Sequence, residues 1–155
     1  MKKEDFDAVI EKAIANEEEA NRFYLTLADR VTDQSAKDTL FYLAKEEMGH
    51  KNNLLRYRQE SFINNATKID EVPDCKVAEF VSSPGISYNM ESKDAYLLAS
   101  ARELNSYNLY VGMASVHPEG EIRNMLLQMA NEELKHKEKV EYLYSNTVFT
   151  QTDGG

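Results

Sequence analysis

Two short stretches of this chain, AKEEMGHKNN and ANEELKHKEK, each set a glutamate three residues ahead of a histidine: Glu47 with His50, and Glu133 with His136. On a helix, residues three apart share a face about one turn from each other, so each pair can aim a carboxylate oxygen and an imidazole nitrogen at one point. One such pair means little in a chain with 27 acidic residues. Two mean more, because other groups repeat with them. Glu17 stands 30 residues before Glu47, and Glu103 stands 30 before Glu133. A single offset of 86 residues superposes all three functional groups, and it also carries Tyr24 onto Tyr110, Leu40 onto Leu126, Ala44 onto Ala130 and Lys51 onto Lys137. The chain reads as an internal duplication of a two-helix unit.

Apolar and small residues recur at helical spacing from residue 6 to about 30, and the seam through Ile10, Ile14, Tyr24 and Ala28 places Glu17 on the core side. VTDQS, residues 31 to 35, reads as a turn, with Ser35 as the cap of a second helix reaching to about residue 61. Leu40, Leu43, Glu47, His50 and Leu54 form its seam. The midpoint of Glu17 and Glu47 falls at residue 32, inside the turn, so an antiparallel hairpin brings the two carboxylates to one height. Residues 62 to 91 collect breakers and suggest a crossover to the far end of a bundle, with room for a short helix around 76 to 81. Ser92 is expected to cap a third helix carrying Glu103, Ser106 and Tyr110, and Pro118 to open a fourth carrying Leu126, Glu133, His136 and Val140. The midpoint of Glu103 and Glu133 is Pro118, again the turn. The expected fold is all-α: one bundle over residues 1 to 146, made of two antiparallel hairpins joined by a long crossover, with residues 147 to 155 as a fraying tail.

Four carboxylates on four inner seams need compensation. Burying them together costs several kcal/mol per charge, and like charges in contact drive some of them to bind protons. Two divalent cations solve the problem. Glutamate and histidine ligands suit iron or manganese, with zinc compatible by ligand type. The single cysteine, Cys75, rules out an intrachain disulfide and a Cys-x-x-Cys metal knuckle and reads as an ordinary loop thiol. A net charge of -9 argues against nucleic acid and anionic membrane surfaces as partners. With no apolar stretch suited to a signal peptide or a membrane span, the chain is expected to be cytoplasmic.

One glutamate from each of two helices and a Glu-x-x-His from each of the other two is the ferritin-like dimetal pattern. With Glu17 in NEEEANRFY, Glu47 and His50 in LAKEEMGH, Glu103 in ARELNSYNLY, and Glu133 and His136 in ANEELKH, the chain resembles the rubrerythrin branch of that superfamily over nearly its whole length. The resemblance implies a ferritin-like four-helix bundle holding two iron ions. Glu47 and Glu133 would bridge the ions, Glu17 and Glu103 would be terminal ligands, and His50 and His136 would cap one ion each. Tyr24 and Tyr110 match the family's tyrosines beside the cluster. Rubrerythrins tend to carry a further glutamate one turn after the third-helix ligand; here that place is Ser106, so the expected ligand set is symmetric. The implied activity is reduction of hydrogen peroxide, a di-iron peroxidase drawing electrons from a separate donor such as a rubredoxin-like protein, since no four-cysteine iron site lies in these residues. Two other readings stand beside it: a ferroxidase that oxidises ferrous iron with oxygen, and a non-enzymatic metal-binding bundle. The long crossover also suits a homodimer with exchanged hairpins.

Overall fold

The computed structural model of the chain describes residues 3–60 and 85–152. Four helices run through them: α1, Lys3–Arg30; α2, Gln34–Glu60; α3, Ser92–Ser115; and α4, Glu121–Thr152. Tight turns make antiparallel hairpins of α1 with α2 and of α3 with α4. The hairpins pack with α1 against α3, where Asn16 meets Ser106 and Tyr24 meets Ala99, and with α2 facing α4, where Glu47 meets His136. This is the all-α bundle expected from the seams, with the ferritin-like arrangement that the resemblance implies.

The end of the crossover is anchored where α3 begins. Met90 donates its N–H to Arg30 O at 2.8 Å and accepts from Thr32 N at 3.4 Å, pairing with the α1–α2 turn at Val31. Asn89 takes φ 56 on the way in, a left-handed conformation that asparagine tolerates. The guanidinium of Arg30 lies 3.9 Å over the Tyr88 ring and covers the junction. Helix α2 runs away from that turn, so the chain leaves it at one end of the bundle and re-enters at the other, about 40 Å away at 1.5 Å per residue. The short helix expected around 76 to 81, and Cys75 with it, lie outside the described residues.

The apolar core is in two pieces. At the α1–α2 turn end, Tyr24, Leu27, Ala28, Leu40 and Ala44 pack with Tyr96, Ala99 and Val140. At the other end, Ile10, Ala13 and Leu54 pack with Tyr110, Met113, Ala114, Leu126 and Ala130. The two clusters are copies of one another at the 86-residue offset: Leu40 answers Leu126, Leu27 answers Met113, and Leu54 answers Val140. Each fully buried leucine contributes roughly 2 kcal/mol of apolar transfer. Between the clusters lies a belt of charged side chains.

Four expected boundaries move. The cap of α2 is Asp33 rather than Ser35: its Oδ2 accepts the N–H of Ala36 at 2.9 Å, and a carboxylate at a helix N-terminus also meets the favourable end of the dipole. Glu91, extended at φ -73 and ψ 150, precedes α3, so Ser92 is the first helical residue rather than its cap. Pro118 stays in the turn; Gly120, at φ 156, leads into α4, and its carbonyl accepts from Asn124 N at 3.0 Å. The expected tail is helical as far as Thr152, where α4 ends. No glycine or proline interrupts the sequence between Gly120 and Gly154, and Thr147 ties its hydroxyl to Leu143 O at 2.8 Å.

Loss of the cap is directly measurable. Asp33→Ala is expected to destabilise the protein by about 1 kcal/mol in denaturant unfolding, while Ser35→Ala changes it by no more than a few tenths. Equal effects from the two would return the cap to Ser35.

Candidate metal centre

The charged belt is built from one residue or pair on each helix. The inner seam of α1 brings in Glu17, that of α3 brings in Glu103, and α2 and α4 bring in Glu47 with His50 and Glu133 with His136. All four carboxylates are at most 1% exposed. The histidine side chains keep 12% exposure at His50 and 9% at His136.

The six residues meet. Nδ1 of His50 lies 3.0 Å from Glu133 Oε1, 3.4 Å from Glu47 Oε2 and 3.6 Å from Glu17 Oε2. Nδ1 of His136 lies 3.1 Å from Glu47 Oε1 and 3.5 Å from Glu103 Oε1. They form two overlapping sets, each with one ligand atom per residue within 4.8 Å of the others: Glu17, Glu47, His50 and Glu133 in one, and Glu47, Glu103, Glu133 and His136 in the other. Glu47 and Glu133 belong to both.

A centre without cations leaves these groups poorly satisfied. Oε2 of Glu17, Glu47 and Glu103, and both oxygens of Glu133, are buried and accept no hydrogen bond, and Nδ1 of His50 aligns with none of the three carboxylates around it. Buried polar atoms are rarely left in that condition, and an unmade bond to a charged group costs more than one to a neutral group. Orphaned oxygens converging with imidazole nitrogens are what a pair of divalent cations requires, so the residues fit the metal that their spacing implies.

The tyrosines cross between the halves. Tyr110, on α3, donates to Glu17 Oε1 of α1 at 2.7 Å, and Tyr24, on α1, donates to Glu103 Oε1 of α3. Burial, and then the glutamate each faces, raise both phenols above their ordinary value, so they remain donors. Each fixes one oxygen of its glutamate: at Glu17 the other oxygen, Oε2, faces His50, whereas at Glu103 the oxygen held by Tyr24 is the one 3.5 Å from His136.

The duplication makes the centre nearly two-fold symmetric. Where α2 faces α4, the two copies of one position are His50 and His136, whose rings stack at 5.4 Å between centroids and 8° between planes. Where α1 faces α3, the copies of another are Asn16 and Arg102, and they clasp. Arg102 donates to Asn16 O at 3.2 Å, to Asn16 Oδ1 at 3.1 Å and to Ser106 Oγ at 2.7 Å, while Asn16 donates to the same Ser106 hydroxyl at 3.1 Å. The pseudo-axis therefore leaves the bundle between two imidazoles on one face and through a hydrogen-bonded clasp on the other.

Sequence reasoning missed two features here. Asn16 lies off the apolar seam, and nothing in its spacing announced a partner at Arg102. Next to the centre, Lys137 is fully buried, with Nζ 2.9 Å from Glu141 Oε1, and Ser100 donates to the same oxygen at 2.6 Å. A signal for the second existed: Glu133, Lys137 and Glu141 stand four apart on one helix face. The copy obscured it, because Lys51 pairs at the surface with Glu18 at 2.9 Å and Leu55 holds the place of Glu141.

Without metal, protons do the compensating. Burial, and then Glu47 beside it, push Glu17 from an ordinary 4.5 up to about 8. Burial with the charges of Glu103 and Glu47 raises Glu133 well above its ordinary value. Burial would raise Glu47 and Glu103 too, but contacts with Glu17, His136 and His50 outweigh it at Glu47, and contacts with His136, Glu133 and Tyr24 outweigh it at Glu103, so both end below the ordinary value. Burial alone would lower the imidazoles; contacts with Glu133, Glu17 and Glu47 raise His50, and contacts with Glu103 and Glu47 raise His136 to about 10. Near neutral pH, two neutral carboxyls, two carboxylates and two imidazoliums leave no net charge.

The pH dependence follows in sign. Stability linked to Glu17 is fully present below pH 4.5 and lost as pH rises through about 8; that linked to His136 is fully present below 6.5 and lost through about 10. Glu47 and Glu103, with lowered values, contribute above 4.5 and lose that contribution only as pH falls through their folded values. The melting temperature of the metal-free protein is therefore expected to fall from about pH 5 to about pH 9, less steeply in Glu17→Gln, and cation loading at pH 7 to release about four protons per chain. A melting temperature that rises over that window would contradict this proton inventory.

The Rubrerythrin family model matches residues 8–144 of the chain, a span that holds all six metal-site residues and both tyrosines. No curated protein and no solved structure matches it. From the family match and the two carboxylate–histidine sets in its four-helix bundle, the chain belongs to the rubrerythrin family, whose ferritin-like members hold two irons among carboxylates.

Proposed function

We propose that this protein is a di-iron oxidoreductase that reduces hydrogen peroxide to water with electrons from a separate donor protein. One observation carries the reading: two four-residue ligand sets share Glu47 and Glu133 and are otherwise equal, with one glutamate and one histidine each. Glu47 and Glu133, common to both sets, would be shared by the two ions, while Glu17 with His50 and Glu103 with His136 would each complete the hold on one of them. When bound, the ferrous pair supplies two electrons, one from each ion, so that one peroxide and two protons give two waters. The family and the ligand set support iron; manganese and zinc share the ligand preference.

The chain's own work is to hold charge. Four carboxylates and two neutral imidazoles would balance two divalent cations, and the buried carboxylates would stabilise the extra positive charge that a two-electron oxidation brings. Tyr24 and Tyr110 keep Glu103 and Glu17 oriented through that change. The apolar clusters above and below exclude water from the belt. Reduction of the pair for the next turnover is assigned to a rubredoxin-like donor.

Rapid-mixing absorbance of the anaerobically reduced, iron-loaded protein against peroxide and, separately, oxygen tests the reading. Much faster oxidation by peroxide is expected at two irons per chain, and Glu47→Ala or Glu133→Ala should abolish it. Preference for oxygen, with iron turned over beyond two per chain, would move the assignment to a ferroxidase.

A further inference from the structure

The four carboxylates of the centre are at most 1% exposed, so a hydrated cation cannot meet them first. On the α1–α3 face the way in is closed by the clasp of Arg102 with Asn16 and Ser106. On the α2–α4 face stand the two ligands that do reach solvent, His50 and His136, stacked across the pseudo-axis. Beside them is a glutamate that belongs to neither inner set. Glu46, one turn before His50 and half-buried, has a carboxylate oxygen that lies with a ring nitrogen of His50 and one of His136 within 4.8 Å of one another.

We infer that Glu46, His50 and His136 form an outer receiving position for a divalent cation, which then passes inward to the buried carboxylates; the inference rests on the reading of the six residues as a metal centre. One carboxylate and two imidazoles are the donor set that non-haem ferrous sites use while keeping open positions for water. A partly hydrated ion is therefore held without a full protein cage. Because the histidines belong to both the outer and the inner sets, the outer position is one of transit: an ion moving inward exchanges Glu46 for Glu47 and Glu133 and takes Glu17 or Glu103 as its terminal ligand.

The surroundings hold Glu46 for this task on one side only. Tyr42 stands one turn before Glu46 on α2, and Lys139 of α4 lies 3.9 Å over its ring, bracing it across the gap between the helices. The copy of Glu46 is Glu132, one turn before His136. It turns instead to Lys135 at 3.1 Å, is 40% exposed and joins no ligand set. Two glutamates equivalent in sequence thus separate one cation-receiving carboxylate from an ordinary surface ion pair, and the difference supplies an internal control.

The test is the loading rate of the metal-free full chain with cobalt(II), followed by visible absorbance after rapid mixing, with bound cobalt counted at the end. Glu46→Gln is expected to slow loading by roughly tenfold, the low end of what a focusing charge gives an association rate, and still to finish at two cobalt per chain. Glu132→Gln should load at the wild-type rate, and circular dichroism should show both variants folded before mixing. Wild-type loading speed in Glu46→Gln, or equal slowing in Glu132→Gln, would overturn the receiving position. A Glu46→Gln protein that ends short of two cobalt would make Glu46 a permanent ligand and overturn transit. A wild-type chain that takes up no cobalt would defeat the metal centre itself, a failure separate from the others.

Discussion

The structure depends on one electrostatic conflict: four carboxylates gathered at the middle of a bundle where water does not reach. Among the described residues nothing else carries a desolvation cost of that size, and the rest of the fold is arranged around it. The apolar core is split into two clusters so that the belt can lie between them. The histidines and tyrosines that share the belt each meet one of its glutamates. Protons resolve the conflict in one state of the protein and cations in another, and the same backbone serves both because the exchange is local to six side chains.

Much of this was legible in the sequence because duplication writes each functional position twice. Glu17 alone is a glutamate on a helix; with Glu103 at the same remove from a second Glu-x-x-His it becomes a ligand candidate. Hairpin geometry was legible for a related reason: equal spacing about residues 32 and 118 fixes the heights at which carboxylates meet. The fold class followed from the seams, and the family from the motifs.

What stayed hidden was local competition and divergence between the copies. Asp33 and Ser35 both bear capping oxygens two residues apart, and only the backbone path decides which one caps α2. The last turns of α4 have modest propensity, but no residue stops them, and absence of a breaker is a weaker signal than presence of one. The buried Lys137–Glu141–Ser100 group lies where the first half has a surface lysine, a leucine and an isoleucine, so comparing the halves pointed away from it. Repetition reveals what the halves share and conceals what each acquired alone.

The crossing of the tyrosines has a consequence for how such a protein can arise. One hairpin holds a glutamate and a Glu-x-x-His, but the phenol that steadies its glutamate comes from the other hairpin, and Glu47 and Glu133, one from each hairpin, stand in both candidate ligand sets. A solitary copy is thus an incomplete instrument, and the smallest working unit is a pair. Joining two copies in one chain replaces a concentration-dependent encounter with a fixed one. It also frees each copy to vary alone: a lysine can go inward and a leucine become a glutamate in one half, without the same change being imposed on the other. The tether that looks like a mere connection is what lets a symmetric centre have unequal surroundings.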